Sequence, residues 1–113
     1  MRILRFGKTG RLARIAQRAC EAAFPNPNFI TYQRTGGFLE ENTNCYFENL
    51  QNCISSLDIT KLLLIDASID HSHSAALVEH ETFKRNLLLW LSNENMLFKA
   101  VGFSSGITLL DQN

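Results

Sequence analysis

The chain has 113 residues, a formal net charge of zero, and 45% hydrophobic and 19% charged residues. These values predict one globular domain and exclude an intrinsically disordered chain. No apolar run approaches the ~20 residues of a transmembrane helix, so we expect no membrane partner. A neutral chain also gives no reason to expect nucleic acid as a partner.

Charged residues and cysteines are unevenly placed. Residues 1–18 hold six basic residues and no acid. An Arg-rich start would suit a mitochondrial presequence, but two glycines and little serine disfavour one. Cys20, Cys45 and Cys53 are odd in number and irregularly spaced, so we expect reduced, mostly buried thiols in a cytoplasmic protein.

Hydrophobic periodicity predicts secondary-structure elements in the order β-α-β-β-α-β-α-β. The expected strands are 3–6, 28–34, 45–49, 61–68 and 97–105, and the expected helices are 11–23, 49–57 and 75–92. The expected core residues of the first helix are Leu12, Ile15, Ala16, Ala19 and Ala23, and those of the last are Phe83, Leu87, Trp90 and Leu91. Pro25 ends the first helix because proline cannot continue it.

The run "KLLLIDAS" at 61–68 is apolar without alternation. Such a run is typical of a parallel strand that is buried on both faces. With helices alternating with strands, we predict a Rossmann-like, doubly wound α/β domain over residues 1–113, with a mostly parallel sheet.

The first strand is followed by three small residues at a spacing of three, Gly7, Gly10 and Ala13. In a doubly wound sheet, such residues permit a tight turn, close approach of a pyrophosphate, and close packing of the helix on the sheet. The N–H groups at the helix start then face the anion. We therefore predict that Gly7, Thr9, Gly10, Arg11 and Leu12 bind a dinucleotide phosphate.

A nucleotide-triphosphate loop is the other interpretation of "GKT" at 7–9. That motif needs a glycine five residues before Gly7, where Arg2 stands. We therefore reject it.

The segment "ILRFGKTGRLAR" resembles the opening of extended and atypical short-chain dehydrogenases/reductases, and Phe6–Gly10 is particularly similar to the start of dTDP-4-dehydrorhamnose reductases. Further similarities are "LLLIDAS", "FKRNLLLWL" and "VGFSSG". The resemblance covers the N-terminal half of the family's fold. It implies that Ala67, Ser68, Asn86 and Ser104 line an NAD or NADP cofactor, and that the other ligand is a nucleotide sugar.

The chain departs from that family in its catalytic residues. The family's proton donor is a tyrosine with a lysine four residues later, but Tyr32 is followed there by Gly36 and Tyr46 by Leu50. We therefore assign no catalytic residue and expect binding without catalysis. A truncated gene product, a fragment of a longer protein and a small binding protein are all compatible with the sequence.

The expected second strand ends without the acid that would bind an NAD ribose. Arg34 lies near that place and could pair with the 2′-phosphate of NADP instead. The sequence therefore favours NADP over NAD.

The sequence gives weaker support for a metal site or for RNA binding. His71, His73 and His80 lack zinc-site spacing, so we expect no metal site. The basic residues of 11–18 have no aromatic neighbours for stacking bases, so we expect no RNA binding. Two alternative functions remain: a non-catalytic dinucleotide sensor or partner subunit, and a flavodoxin-like interaction domain without nucleotide. A homo-oligomer is compatible with either.

Overall fold

The computed structural model describes residues 1–68 and 75–102. Its elements, in chain order, are β1 (Arg2–Phe6), α1 (Arg11–Ala23), β2 (Asn28–Tyr32), β3 (Phe38–Glu40), β4 (Cys45–Phe47), α2 (Leu50–Leu57), β5 (Leu62–Asp66), α3 (Ala75–Asn93) and β6 (Leu97–Gly102). Every predicted element is present. The prediction missed β3, because a strand of three residues carries almost no periodic signal.

The strands form one six-stranded mixed sheet in the order β4-β3-β2-β1-β5-β6. Strands β2, β1, β5 and β6 are parallel, β3 pairs antiparallel with β2, and β4 pairs antiparallel with β3 at the edge of the sheet. This confirms an α/β domain with a mostly parallel sheet. The antiparallel hairpin follows from the turn at Gln33–Gly37, where Gly36 and Gly37 both take positive φ.

Helices cover both faces of the sheet. On one face α1 packs through small side chains, Ala13, Ala16 and Cys20, against Ile3 and Phe29. On the other face, α2 and α3 enclose a larger core. Its buried members include Leu4, Phe6, Ile30, Phe38, Leu50, Cys53, Leu62, Leu64 and Leu91.

The buried face of α1 differs from the predicted one. Ile15 is 50% exposed and Ala19 and Ala23 are also exposed, whereas Ala13 and Cys20 are buried. The physical reason is the distance between helix and sheet, since small residues allow α1 to lie close to β1 and β5. The helix is therefore rotated so that Ile15 points to solvent.

The predicted core face of α3 is largely confirmed: Leu91 is fully buried, and Leu87 and Trp90 are partly buried against the same core. Phe83 is 37% exposed and Trp90 is half-buried. Both line an open groove of about 480 Å³ between α3, α2 and the β2–β3 turn. Both side chains are partly exposed because they face this open groove.

All three cysteines are free, with Cys20 and Cys53 buried and Cys45 exposed on the edge strand β4. Burial raises the pKa of the Cys53 thiol to about 11 and also raises the pKa of Cys20. Within residues 1–68 and 75–102, no helix is both long and apolar enough to cross a bilayer.

Candidate functional site

The carboxyl ends of β1 and β5 lie side by side, because Phe6 pairs with Asp66 and the Ala67 N–H donates to the Phe6 carbonyl at 2.9 Å. The chain leaves β1 towards β2 on one side and later returns to β5 on the other. In an open α/β sheet, ligands bind at such a reversal of strand order. The predicted glycine loop begins at this edge.

Gly7 takes φ +95, a conformation that residues with a Cβ rarely adopt. A Cβ at this position would lie 3.0 Å from the Ala67 carbonyl group and from the Ser68 nitrogen. Gly7 therefore allows close contact between the loop after β1 and the backbone after β5. This contact brings together Gly7, Ala67 and Ser68, three of the residues that were predicted to bind the cofactor.

Gly10 has a different role. It is the N-cap of α1 in an extended conformation, and no side chain caps the helix start. No atom lies within 4 Å of a Cβ built at Gly10, so the position faces open space. The first turn carries no acid, and its free N–H groups and dipole favour an anion.

Arg11 and Thr9 are exposed at this helix start, and Leu12 is half-buried against the α1 core. Together with Arg14, Ile15 and Arg18, Thr9 and Arg11 line a second open groove of about 480 Å³. The side chain of Leu12 therefore contributes to packing rather than to a ligand surface. Its N–H remains part of the open helix start.

The other predicted residues lie further from the glycine loop. Arg34 is exposed in the β2–β3 turn, and Asn86 is exposed on α3. Ser104 lies outside the described residues. The same is true of His71 and His73.

Sequence reasoning missed a buried ion pair at the carboxyl end of β5. Lys84 Nζ lies 2.8 Å from Asp66 Oδ2 and 3.2 Å from Ser68 Oγ. The Ser68 hydroxyl and N–H donate to Asp66 Oδ1 at 2.7 and 3.2 Å. Glu81, one turn earlier on α3, lies 3.0 Å from Lys84 Nζ. These bonds hold the segment against which Gly7 packs.

The sequence signal for this pair is Asp66, a charged residue at the end of the apolar run 62–65. Asp66 is 3% exposed and Lys84 is 7% exposed, and charged residues are almost never fully buried unless paired. The resemblance directed attention to Asn86 instead. The structure shows Lys84, two residues earlier, on the face of α3 that meets the sheet.

A second polar network lies on the α1 face. The buried Arg5 donates from Nε to Thr31 Oγ1 at 2.9 Å and from Nη1 to Gln17 Oε1 at 2.8 Å. Its guanidinium carbon lies 4.3 Å from the centre of the Phe29 ring. Burial lowers the pKa of Arg5, and the nearby Glu41 charge opposes this effect.

Glu41 connects this network to the glycine loop. Its Oε1 accepts from Lys8 Nζ at 3.0 Å, and its Oε2 accepts from Thr31 Oγ1 at 3.0 Å and lies 3.7 Å from Arg5 Nη2. Partial burial acts to raise the pKa of the Glu41 carboxyl, but the bonds from Lys8 and Thr31 and the charges of Lys8 and Arg5 outweigh it. The pKa of Glu41 is consequently below its usual value. Sequence reasoning found no acid near β2, because Glu41 comes from the unpredicted hairpin.

Neither tyrosine is placed beside a lysine in the described contacts. Tyr32 stacks with Phe6 and Phe83, with ring centres 5.2 Å apart in each pair. The Tyr46 hydroxyl donates to the Gly36 carbonyl at 2.6 Å. His80, the one described member of the histidine set, packs its ring against Phe6 and Tyr32. Over residues 1–68 and 75–102, no three His, Cys, Asp or Glu side chains are grouped to hold a metal ion.

The loop, the open helix start and the two charged networks therefore converge on the carboxyl edge between β1 and β5. This edge offers backbone N–H groups and cations to a ligand, and its buried charges are paired. Comparison with known proteins gave no match: no family model, no curated protein and no solved structure shows significant similarity to this chain.

Proposed function

We infer that this protein binds a dinucleotide, NADP or NAD, at the carboxyl edge between β1 and β5 in a Rossmann-like manner. The observation that carries this proposal is the difference between two glycines of one loop. Gly7 is required by positive φ and by backbone contact, whereas Gly10 faces open space at an uncapped helix start. Backbone packing accounts for the absence of a side chain at position 7. At position 10, where no packing excludes a side chain, the space suits the phosphate of a ligand.

The resemblance of the loop to nucleotide-sugar reductases, epimerases and dehydratases supports the dinucleotide over other anions. As part of a longer enzyme, such a domain would serve hydride transfer to or from a sugar carbon. The described residues offer no tyrosine with a neighbouring lysine to move the accompanying proton. The function proposed for this chain is therefore binding, without turnover of its own.

Isothermal titration of the full chain with NADPH and NADH tests the proposal. Gly10→Val places a side chain where the phosphate would approach, and we expect it to weaken binding at least ~10-fold, which corresponds to about 1.4 kcal/mol. The open space at Gly10 means that the variant should fold, as circular dichroism would show. Unchanged affinity in a folded Gly10→Val variant would contradict the loop assignment.

Cofactor choice is tested in the same titrations. Arg34 is exposed beyond β2, and a guanidinium forms strong charge-assisted bonds with a phosphate, so we expect tighter binding of NADPH than of NADH. Arg34→Ala should remove most of this difference and leave NADH affinity nearly unchanged. Equal affinity of the unmodified chain for the two cofactors would refute the NADP preference.

Catalysis is tested by NADPH oxidation with dTDP-4-keto sugars, which should be undetectable for this chain. A positioned acid or base contributes typically about 10²–10⁴-fold to such a reaction. Sustained turnover that is lost in Tyr32→Phe or Tyr46→Phe would show that the chain has an active site of its own.

A further inference from the structure

The solvent-facing side of α1 has two edges of different character. Arg11, Arg14 and Arg18 form one edge, and Ile15, Ala19 and Ala22 form the other; all six are exposed. At 100° per residue, both edges lie opposite the buried Ala13 and Cys20. The helix therefore presents a charged line beside an apolar line. Within residues 1–68 and 75–102, both lines stay exposed.

The arginine edge is unfavourable for the isolated domain. Arg11 and Arg14 lie in the first turns of α1, where the helix dipole disfavours cations. Arg14 and Arg18 are one turn apart, and like charges at this spacing repel. Among the ion pairs between described residues, none involves these arginines. An anionic partner would reverse both effects.

The edge is also too long for the proposed cofactor alone. Arg11 and Arg18 are seven residues apart, which is about 10 Å along the helix axis. Arg11 directly follows the glycine loop in the first turn of α1, whereas Arg18 lies about two turns further along the helix. An extended partner that follows the helix can contact all three guanidinium groups, whereas a phosphate at the helix start cannot.

The apolar edge distinguishes between classes of extended anion. Ile15 is 50% exposed and lines the groove together with the arginines, and the small Ala19 and Ala22 permit a second helix to approach closely. A nucleic-acid backbone would leave this edge unused. A lipid surface would need the apolar face of α1, but that face is buried in the domain.

We propose that this side of α1 docks an acidic amphipathic helix of a partner protein. Its carboxylates pair with Arg11, Arg14 and Arg18, for which guanidinium geometry is well suited, and its aliphatic side chains cover Ile15. The proposal does not require dinucleotide binding, although the two surfaces share Arg11 at the start of α1.

The probe is a fluorescein-labelled helical peptide of about 18 residues, with glutamates along one edge and leucine and alanine along the next. Fluorescence anisotropy with the full chain should give a Kd on the order of 10–100 µM in 50 mM NaCl, as for a small, weak interface. Binding should weaken at 300 mM NaCl, where charges are screened more strongly.

Arg14→Glu/Arg18→Glu should reduce this affinity at least ~10-fold, equivalent to about 1.4 kcal/mol. The same variant should instead bind a peptide with lysines in place of the glutamates. Ile15→Ser should weaken binding of the leucine peptide about threefold, but not of a peptide with serine in place of leucine. Arg85→Glu, an exposed site on α3, is the matched control and should change nothing.

Three results would overturn the proposal. The first is no binding of the acidic peptide up to 1 mM, or binding that Arg14→Glu/Arg18→Glu does not change. The second is an unchanged affinity in Ile15→Ser, which would leave only non-specific charge attraction. The third is tighter binding of a 20-nucleotide oligouridylate, or of phosphatidylserine vesicles, through the same arginines. Ile15→Ser carries no charge change and should leave NADPH affinity unaltered while it weakens peptide binding, which separates this outcome from that of the dinucleotide proposal.

Discussion

The charged networks on the two faces of the sheet differ in how far they are exposed to solvent. On the α1 face, Arg5 belongs to a network that reaches solvent through Lys8, whose side chain is 51% exposed. On the α3 face, the buried pair of Lys84 and Asp66, called here the closed pair, has side chains only 7% and 4% exposed, and Glu81 is the outer partner of Lys84 with a side chain 34% exposed. Replacing Lys8 by a ligand leaves Arg5 paired with Glu41, whereas removing either member of the closed pair leaves a buried charge without its nearest partner.

The helix starts differ in the same way. On the α2 side, Asn49 caps the helix, and its Oδ1 accepts from the Asn52 N–H at 2.8 Å. On the α1 side, Gly10 leaves the helix start open. Among the helix starts that the structure describes, that of α2 is therefore satisfied internally, and that of α1 keeps N–H groups available for a partner. Removing polar groups should accordingly affect stability more on the α2/α3 face.

The largest effect is expected at the closed pair. Lys84→Met leaves the Asp66 carboxylate buried without its cation, which should lower the free energy of unfolding by about 3–5 kcal/mol. Urea denaturation followed by circular dichroism measures this loss. The double variant Lys84→Met/Asp66→Asn removes both charges and keeps acceptors for Ser68, so most of the stability should return. If the double variant is as unstable as the single one, the charge pair is not the cause.

Gly7 lies where the two faces meet, and Gly7→Ala should be the next most harmful change. A positive φ costs on the order of 1–2 kcal/mol for a residue with a Cβ, and the contact with Ala67 and Ser68 adds to this cost. Gly36→Ala is the matched control, because Gly36 has φ +94 and nothing within 4 Å of its Cβ position. The difference between the two denaturation midpoints measures the backbone contact alone, and equal midpoints would contradict it.

Changes at the N-caps of α2 and α1 should have a smaller effect on the free energy of unfolding. Asn49→Ala removes the cap of α2 and should lower the free energy of unfolding by about 1 kcal/mol. Gly10→Asn supplies a cap to α1 in open space, and its effect should be within a few tenths of a kcal/mol. Thermal denaturation of both variants tests this. A marked destabilisation by Gly10→Asn would show that the helix start is not open in the folded chain.

The smallest effect is expected at Glu41 and depends on pH. Because the folded-state pKa of Glu41 lies below its usual value, its charge stabilises the fold above the unfolded pKa of about 4.3. This stabilisation is lost as the pH falls through the folded-state pKa. The difference in denaturation midpoint between the unmodified chain and Glu41→Gln should thus be present at pH 7 and shrink by pH 3. A difference that is constant with pH would exclude the carboxylate charge as its source.

Local patterns predicted nearly all of the secondary-structure elements, because the spacing of apolar residues within about ten positions indicates a strand or a helix. They also placed the glycine loop, since Gly7 and Gly10 act within the turn that contains them. The α1 face was predicted wrongly at Ile15 because Leu12 and Ile15 are the larger apolar residues of that helix. The small residues Ala13 and Ala16 were predicted to face the sheet and do so, but only the tertiary structure showed that Cys20 is buried there and Ile15 is not.

The sequence by itself determined the alternation of strands and helices, the continuous apolar strand and a glycine turn that needs positive φ. Each of these depends on neighbouring residues and on backbone sterics. Tertiary structure alone decided which charges meet, since Lys8 bonds Glu41 across 33 positions and Lys84 bonds Asp66 across 18. Such pairs depend on the order of the strands and the rotation of the helices, and both are determined by the packing of the whole core. A linear pattern does not encode them locally.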